Sequence, residues 1–164
     1  MTLTQWALIG AVLLLLFWAV GAYNRLIRLR NAIANAFGQI DVQLKRRHDL
    51  VPNLVAVAKR YLEHEAQTLE AVVAARSRAQ SAEQAVAANP LNPAAVGALA
   101  VAEQALGGAL GRLMALVEAY PELKADENLR QLSEELTSTE NRIGFSRQAY
   151  NDTVLAFNDA AQQF

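Results

Sequence analysis

The stretch WALIGAVLLLLFWAVGAY, residues 6–23, runs for 18 residues without a charged side chain, and nothing else in the sequence constrains the fold as tightly. At 1.5 Å per residue such a helix is about 27 Å long, close to the ~30 Å hydrocarbon core of a bilayer. Trp6 and Tyr23 stand at its two ends and Trp18 near the second, the depth at which amphipathic rings meet headgroups. A cleaved signal peptide would carry a basic residue before the run. No Lys or Arg precedes Trp6, and Ala19-Val20-Gly21 is a weak cleavage site. A buried core helix would show a polar outer face, and this run has none. Residues 1–23 therefore read as a transmembrane anchor.

The flanks orient it. Arg25, Arg28 and Arg30 follow the run and no cation precedes it. The positive-inside rule then expects a single-pass protein of the bacterial cytoplasmic membrane, amino terminus outside and body cytoplasmic. Near anionic lipid each of these arginines gains roughly 1 kcal/mol, so membrane lipid is the first expected partner. The formal net charge of −1 hides a polarity: residues 24–60 carry +6 and residues 61–164 carry −7. Lys45, Arg46 and Arg47 lie too far along an upright helix to reach the lipid, about 33 Å from Tyr23. They need another partner.

Beyond Tyr23 the apolar residues keep helical spacing. Ile33, Phe37, Ile40 and Leu44 step by four, three and four. Leu99, Ala102, Leu106, Leu110 and Leu113 repeat the rhythm, and Leu129 to Ala161 gives the longest register. No segment alternates with period two, so strands are not expected. Prolines punctuate the pattern. In ANPLNP, Asn89 suits a left-handed helix end, Asn92 an N-cap and Pro93 the first helical position. Pro121 opens another helix, with Glu122 favourable in its first turn. QLKRRHDLVPNLV, residues 43–55, fits the same grammar as a corner: Lys45 to His48 close one helix, Asp49 caps the next and Pro52 sits in its first turn. A kink at Pro52 within one long helix is the competing geometry. The expectation is an all-α fold, a transmembrane helix continuing into an up-and-down antiparallel four-helix bundle. The helices lie at about 24–48, 50–88, 93–119 and 121–164.

Chemistry is hard to find. The absence of cysteine removes disulfides, thiolate nucleophiles and Cys-based metal sites. His48 and His64 lie far apart, and no His-Glu-x-x-His or phosphate-binding glycine pattern occurs. The cationic cluster lacks interleaved aromatics. No enzyme activity, metal, cofactor, nucleic acid or small-molecule substrate is expected. One polar set stands out on helical registers: Glu65, Arg76, Glu140, Arg147, Tyr150 and Asn151. Together with Arg46, Arg47, Asp49 and Pro52 these are the candidate structural or docking residues. A charge at a packed seam is costly unless paired, so Glu140 or Glu65 is expected to meet an arginine of a neighbouring helix. Such a network either fixes helix register or forms a docking surface.

The blocks YNRLIRLRNAIANAFGQIDVQLKRRHDLVPNLVAVAKRYLEHE, at 23–65, and YPELKADENLRQLSEELTSTENRIGFSRQAYNDTVLAFN, at 120–158, resemble the LemA family of anchored, all-helical bacterial proteins. The resemblance covers most of the chain outside the anchor and the alanine-rich middle. It implies a membrane-anchored four-helix bundle without known catalytic activity, and relatives linked to a heat-shock membrane metalloprotease and to magnetosome membrane formation. Relatives usually run on beyond the AQQF at which this sequence stops. The functional expectation is a non-enzymatic membrane scaffold that self-associates as a homo-oligomer, its acidic body meeting a neighbour's basic segment, and recruits other membrane proteins. The alternative is an adaptor for a membrane metalloprotease in envelope stress.

Overall fold

The helix that begins in the apolar run does not turn at Asp49. In the computed structural model, which describes residues 3–163, α1 is continuous from Leu3 to Ala58 with Pro52 inside it. The remaining elements are α2 (Ala66–Ala88), α3 (Pro93–Ala119), a single turn α4 (Pro121–Lys124) and α5 (Glu127–Gln162). The expected outer limits of the anchor at Met1 and of the last helix at Phe164 lie outside the described residues.

The corner at Asp49 and Pro52 is thus corrected, and its competitor, one long helix, is what forms. Lys45 to His48 lie in mid-helix, and Asp49 caps nothing. The physical reason is a contact made from another helix. A proline lacks the N–H that would bond the carbonyl four residues back, here that of His48. The Arg76 Nε of α2 donates to the His48 carbonyl at 2.5 Å, so the orphaned acceptor is satisfied from outside the helix. The Pro52 ring itself faces solvent.

The turn between α1 and α2 falls instead at residues 59–65, where no proline or glycine marks it. Leu62, 1% exposed, plugs the inner side of this turn, and the Tyr61 hydroxyl donates to Asp126 at 3.0 Å. Tertiary anchoring ends the helix where propensity would let it continue. Asn92 behaves as the sequence grammar requires, accepting from the amides of Ala94 and Ala95 at 3.0 and 3.3 Å with Pro93 opening α3. Asn89, in contrast, is not left-handed; its φ is −150°. The last expected helix is broken once, and Asp126 caps α5 through the Leu129 amide at 3.1 Å.

Helices α1, α2, α3 and α5 run up, down, up and down. The tightest pairs are α1 with α5 and α2 with α3, while α3 and α5 pack sparsely. The α1–α5 pair reaches further toward the amino-terminal end than the rest, since Arg25 bonds Gln163 at 3.0 Å. The α2–α3 connection stops well short of that level, where the Tyr150 hydroxyl donates to the Pro90 carbonyl at 3.1 Å. Buried side chains begin at Ile33. The apolar window of α1 has a mean hydropathy of 2.1 and is 0% buried, so it is long and apolar enough to cross a membrane.

Candidate functional site

The bundle core is two apolar clusters with a charged layer between them. One cluster, toward the α1–α2 turn, is built on Leu54, Leu62, Val72, Leu106, Leu113 and Leu129. The other holds Phe37, Ile40, Leu44, Val86, Leu99 and Ile143. Each helix that crosses the boundary contributes an ionisable residue on its inward stripe: Arg47 and His48 from α1, Glu83 from α2, Glu103 from α3 and Glu140 from α5. Arg47, His48, Glu83 and Glu103 are 4%, 1%, 3% and 9% exposed, so none of them is a surface charge.

Arg47 is the hub. Its guanidinium pairs with Glu103 and, at 2.5 Å, with the half-buried Glu140. His48 lies between two carboxylates, with Nε2 2.9 Å from Glu103 and Nδ1 3.2 Å from Glu83. A neutral imidazole has one N–H, so the ring alone can donate to only one of them. The hydrogen bond is the one between Nε2 and Glu103, and Nδ1, buried, is left without a hydrogen-bond partner. The electrostatics agree. Burial, reinforced by the Arg47 and Arg76 charges, pushes His48 down to about 4. Burial, reinforced by Asp41, pushes Glu83 up to about 7. Lys45 lies 2.5 Å from Asp41 and 3.7 Å from Glu83, holding the edge of the layer. Breaking such a buried pair costs roughly 3–5 kcal/mol, so the layer discriminates strongly against any helix register that misaligns it.

The residues picked from sequence divide accordingly. Glu140 does meet an arginine of a neighbouring helix, Arg47. Arg76 serves the His48 carbonyl rather than a carboxylate. Arg46 reaches Glu135 at 3.6 Å on the surface. Glu65 sits at the start of α2 and makes no side-chain cap there. Asp49, Arg147 and Asn151 are exposed. Tyr150 packs edge-on against Phe37, with ring centroids 6.3 Å apart. Trp6, Trp18, Tyr23, Arg25, Arg28 and Arg30 all line the outside of α1. Sequence reasoning missed His48, Glu83 and Glu103 as members of the layer. The signal was present: each interrupts an apolar stripe, as in Leu99-Glu103-Leu106 and Ala79-Glu83-Val86. No group of three metal-binding side chains with suitable geometry occurs among the described residues.

The basic segment at 24–60 also finds its acidic partners within its own chain. Lys45 pairs with Glu83, Arg46 with Glu135, Arg47 with Glu103 and Glu140, and Arg60 approaches Asp126 at 3.9 Å. Part of the charge polarity of the sequence is therefore met within the fold. Where α3 and α5 fail to close, an open furrow of about 540 Å³ remains, with Phe37, Leu99 and Ile143 in its walls and Arg47 and Glu103 among its lining.

Among known proteins, the LemA family model matches residues 36–164. The chain is also similar to magnetosome protein MamQ of Magnetospirillum gryphiswaldense, 36% identical over 63 residues, which are 38% of this chain and 23% of the relative. Magnetosome protein MamQ 2 of Paramagnetospirillum magneticum is 38% identical over 61 residues, 37% of this chain and 22% of the relative. The match thus spans less than a quarter of the length of these curated relatives.

Proposed function

This chain belongs to the LemA family, and from that premise we propose that it is a non-enzymatic membrane scaffold that self-associates and organises or recruits other membrane proteins. The observation that carries the reading is the continuity of α1, 56 residues from the apolar span into the packed bundle. A helix without a joint couples anchor to body, so a bundle built this way holds a fixed attitude to the membrane. The anchor sits in the cytoplasmic membrane with the bundle on the cytoplasmic side, beside the cations Arg25, Arg28 and Arg30. The magnetosome proteins among its relatives accord with the link to magnetosomes that the family resemblance implies. Light scattering of the full chain in mild detergent at low salt tests the proposal. A defined multimer at micromolar concentration is expected, and a monomer would overturn self-association.

A second reading, an adaptor for a membrane metalloprotease, draws on the acidic end of the bundle far from the anchor. Glu118, Glu122, Glu127 and Glu134 are exposed there, three of them paired with Lys124 and Arg130. Charge reversal at Glu134 and Glu135 should then abolish co-purification with the protease, and unchanged recovery would count against this reading.

A further inference from the structure

We propose that the furrow between α3 and α5 binds a single-chain lipid with an uncharged head group, a monoacylglycerol in chemical class, with its head against Arg47 and its chain lying along α1 toward the anchor. This goes beyond the scaffold reading and does not depend on self-association.

The furrow extends past its upper hollow. A second hollow of about 570 Å³ shares Val96, Tyr150 and Asn151 with the first. It continues toward the anchor past Ile33, Val154 and Phe157, and no charged side chain lines it. Ile33, Phe37, Ile40, Leu44 and Arg47 line the two hollows from one stripe of α1. From Ile33 to Arg47 that stripe is about 21 Å long. A docked helix of this length, 10–12 Å across, fills roughly 2,000 Å³, about twice what the two hollows hold. An acyl chain is slender enough to lie between the walls. Ile33 stands about 15 Å beyond Tyr23 along α1, so the leaflet that would supply a lipid is near.

The upper end selects the head. Ligand pockets are mostly apolar, with a few polar groups that fix orientation. Here that group is Arg47, which is 4% exposed. Its terminal nitrogens pair with Glu103 and Glu140, but its Nε, also buried, has no hydrogen-bond partner. An unpaired buried donor is costly, and the ligand that relieves it must present an acceptor. An anion does not suit, because Glu103 and Glu140 flank the same guanidinium and would repel it. The lining as a whole sets Arg47 and Arg147 against Glu103 and Glu140, without net charge. A glycerol head meets both needs: its oxygens accept from Arg47, and its hydroxyls donate to the half-exposed Glu140.

The test uses the full chain in phosphatidylcholine vesicles and a monoacylglycerol with a diazirine in its chain. After photolysis, peptide mapping should find adducts on furrow residues such as Ile40 and Ile143 as well as on the anchor. Adducts on the anchor report partition into the bilayer and serve as the internal control. Monooleoylglycerol should displace the furrow adducts at lower concentration than oleate does. Ala100→Trp places a bulky ring in the furrow wall from an exposed position. It should cut the furrow adducts about tenfold and leave the anchor adducts unchanged, at unchanged helical circular dichroism. Val73→Trp, exposed on α2 away from the furrow, should label like the parent. Adducts confined to the anchor in the parent chain, or furrow adducts undiminished in Ala100→Trp, would overturn the site. Oleate competing as well as monooleoylglycerol would overturn the uncharged head.

Discussion

Pro52 in α1 and the glycines of α3 break the same rule, that a helix interior avoids both residues, and they break it differently. At Pro52 the damage is repaired inside the chain, because Arg76 takes the carbonyl that proline abandons. At Gly97, Gly107 and Gly111 nothing inside the chain makes use of the missing side chains. A repaired fault belongs to the fold. An unrepaired one leaves the helix weaker than the same helix built with alanine. The comparison holds only if the buried polar groups around Pro52 are worth their positions and the glycines of α3 are not, and each half can be broken by measurement.

The largest effect is expected at the hub of the repaired region. Arg47→Ala leaves Glu103 buried and without its main counter-charge, and should destabilise the bundle by roughly 3–5 kcal/mol in chemical denaturation of the detergent-solubilised chain. A loss below about 1 kcal/mol would mean that the layer is not a unit. Next comes the repair itself. Arg76→Ala strands the His48 carbonyl and should cost about 1–3 kcal/mol. Pro52→Ala restores the amide that bonds this carbonyl within the helix, so Arg76→Ala should cost less in a Pro52→Ala background. If the two effects simply add, Arg76 is not what carries α1 through its proline.

These residues also mark how far the sequence could be read. The all-α class, the antiparallel order, the Asn92 cap and the partnership of Glu140 with an arginine follow from spacing and capping rules that act within a few residues. The continuity of α1 does not. Pro52 after Asp49 is locally a good helix start, and only Arg76, reaching over from another helix, makes the unbroken helix the better solution. The turn at 59–65 was illegible for the opposite reason, since it contains no breaker and is set by the burial of Leu62. Asp126 carries a visible cap signal, but the apolar register runs straight across it from Pro121 and masks the break. The charged layer was half legible: Glu103 and Glu83 stand out on their stripes once the stripes are known to face each other, and that pairing is a property of the tertiary fold.

A third test uses pH. Glu83 titrates at about 7 in the folded chain against an ordinary 4.5, so its contribution is complete below pH 4.5 and is lost as pH rises through 7. His48 titrates at about 4 against 6.5, so its contribution is complete above pH 6.5 and is lost as pH falls through 4. The two slopes oppose each other, and with both residues present this pair should leave stability nearly level between pH 4.5 and 6.5. Each single variant exposes the other's slope. His48→Gln should lose stability as pH rises from 4.5 to 7, and Glu83→Gln as pH falls from 6.5 to 4, by about 1–2 kcal/mol in each window. Denaturation midpoints measured across that range check it. Identical profiles for the two variants would show that the two opposing shifts are absent.

The smallest effect bears on the unrepaired side. Gly108 is exposed on α3, and an added Cβ there also meets nothing within 4 Å. Gly108→Ala should therefore stabilise the chain, by about 0.5–1 kcal/mol, because alanine loses less backbone entropy on entering a helix. The gain should appear in denaturation of dilute protein, where association contributes least. A destabilisation of similar size would mean that α3 packs more closely within its own chain than its open outer face indicates. The glycines would then be repaired internally, as Pro52 is, and the contrast between the two helices would disappear.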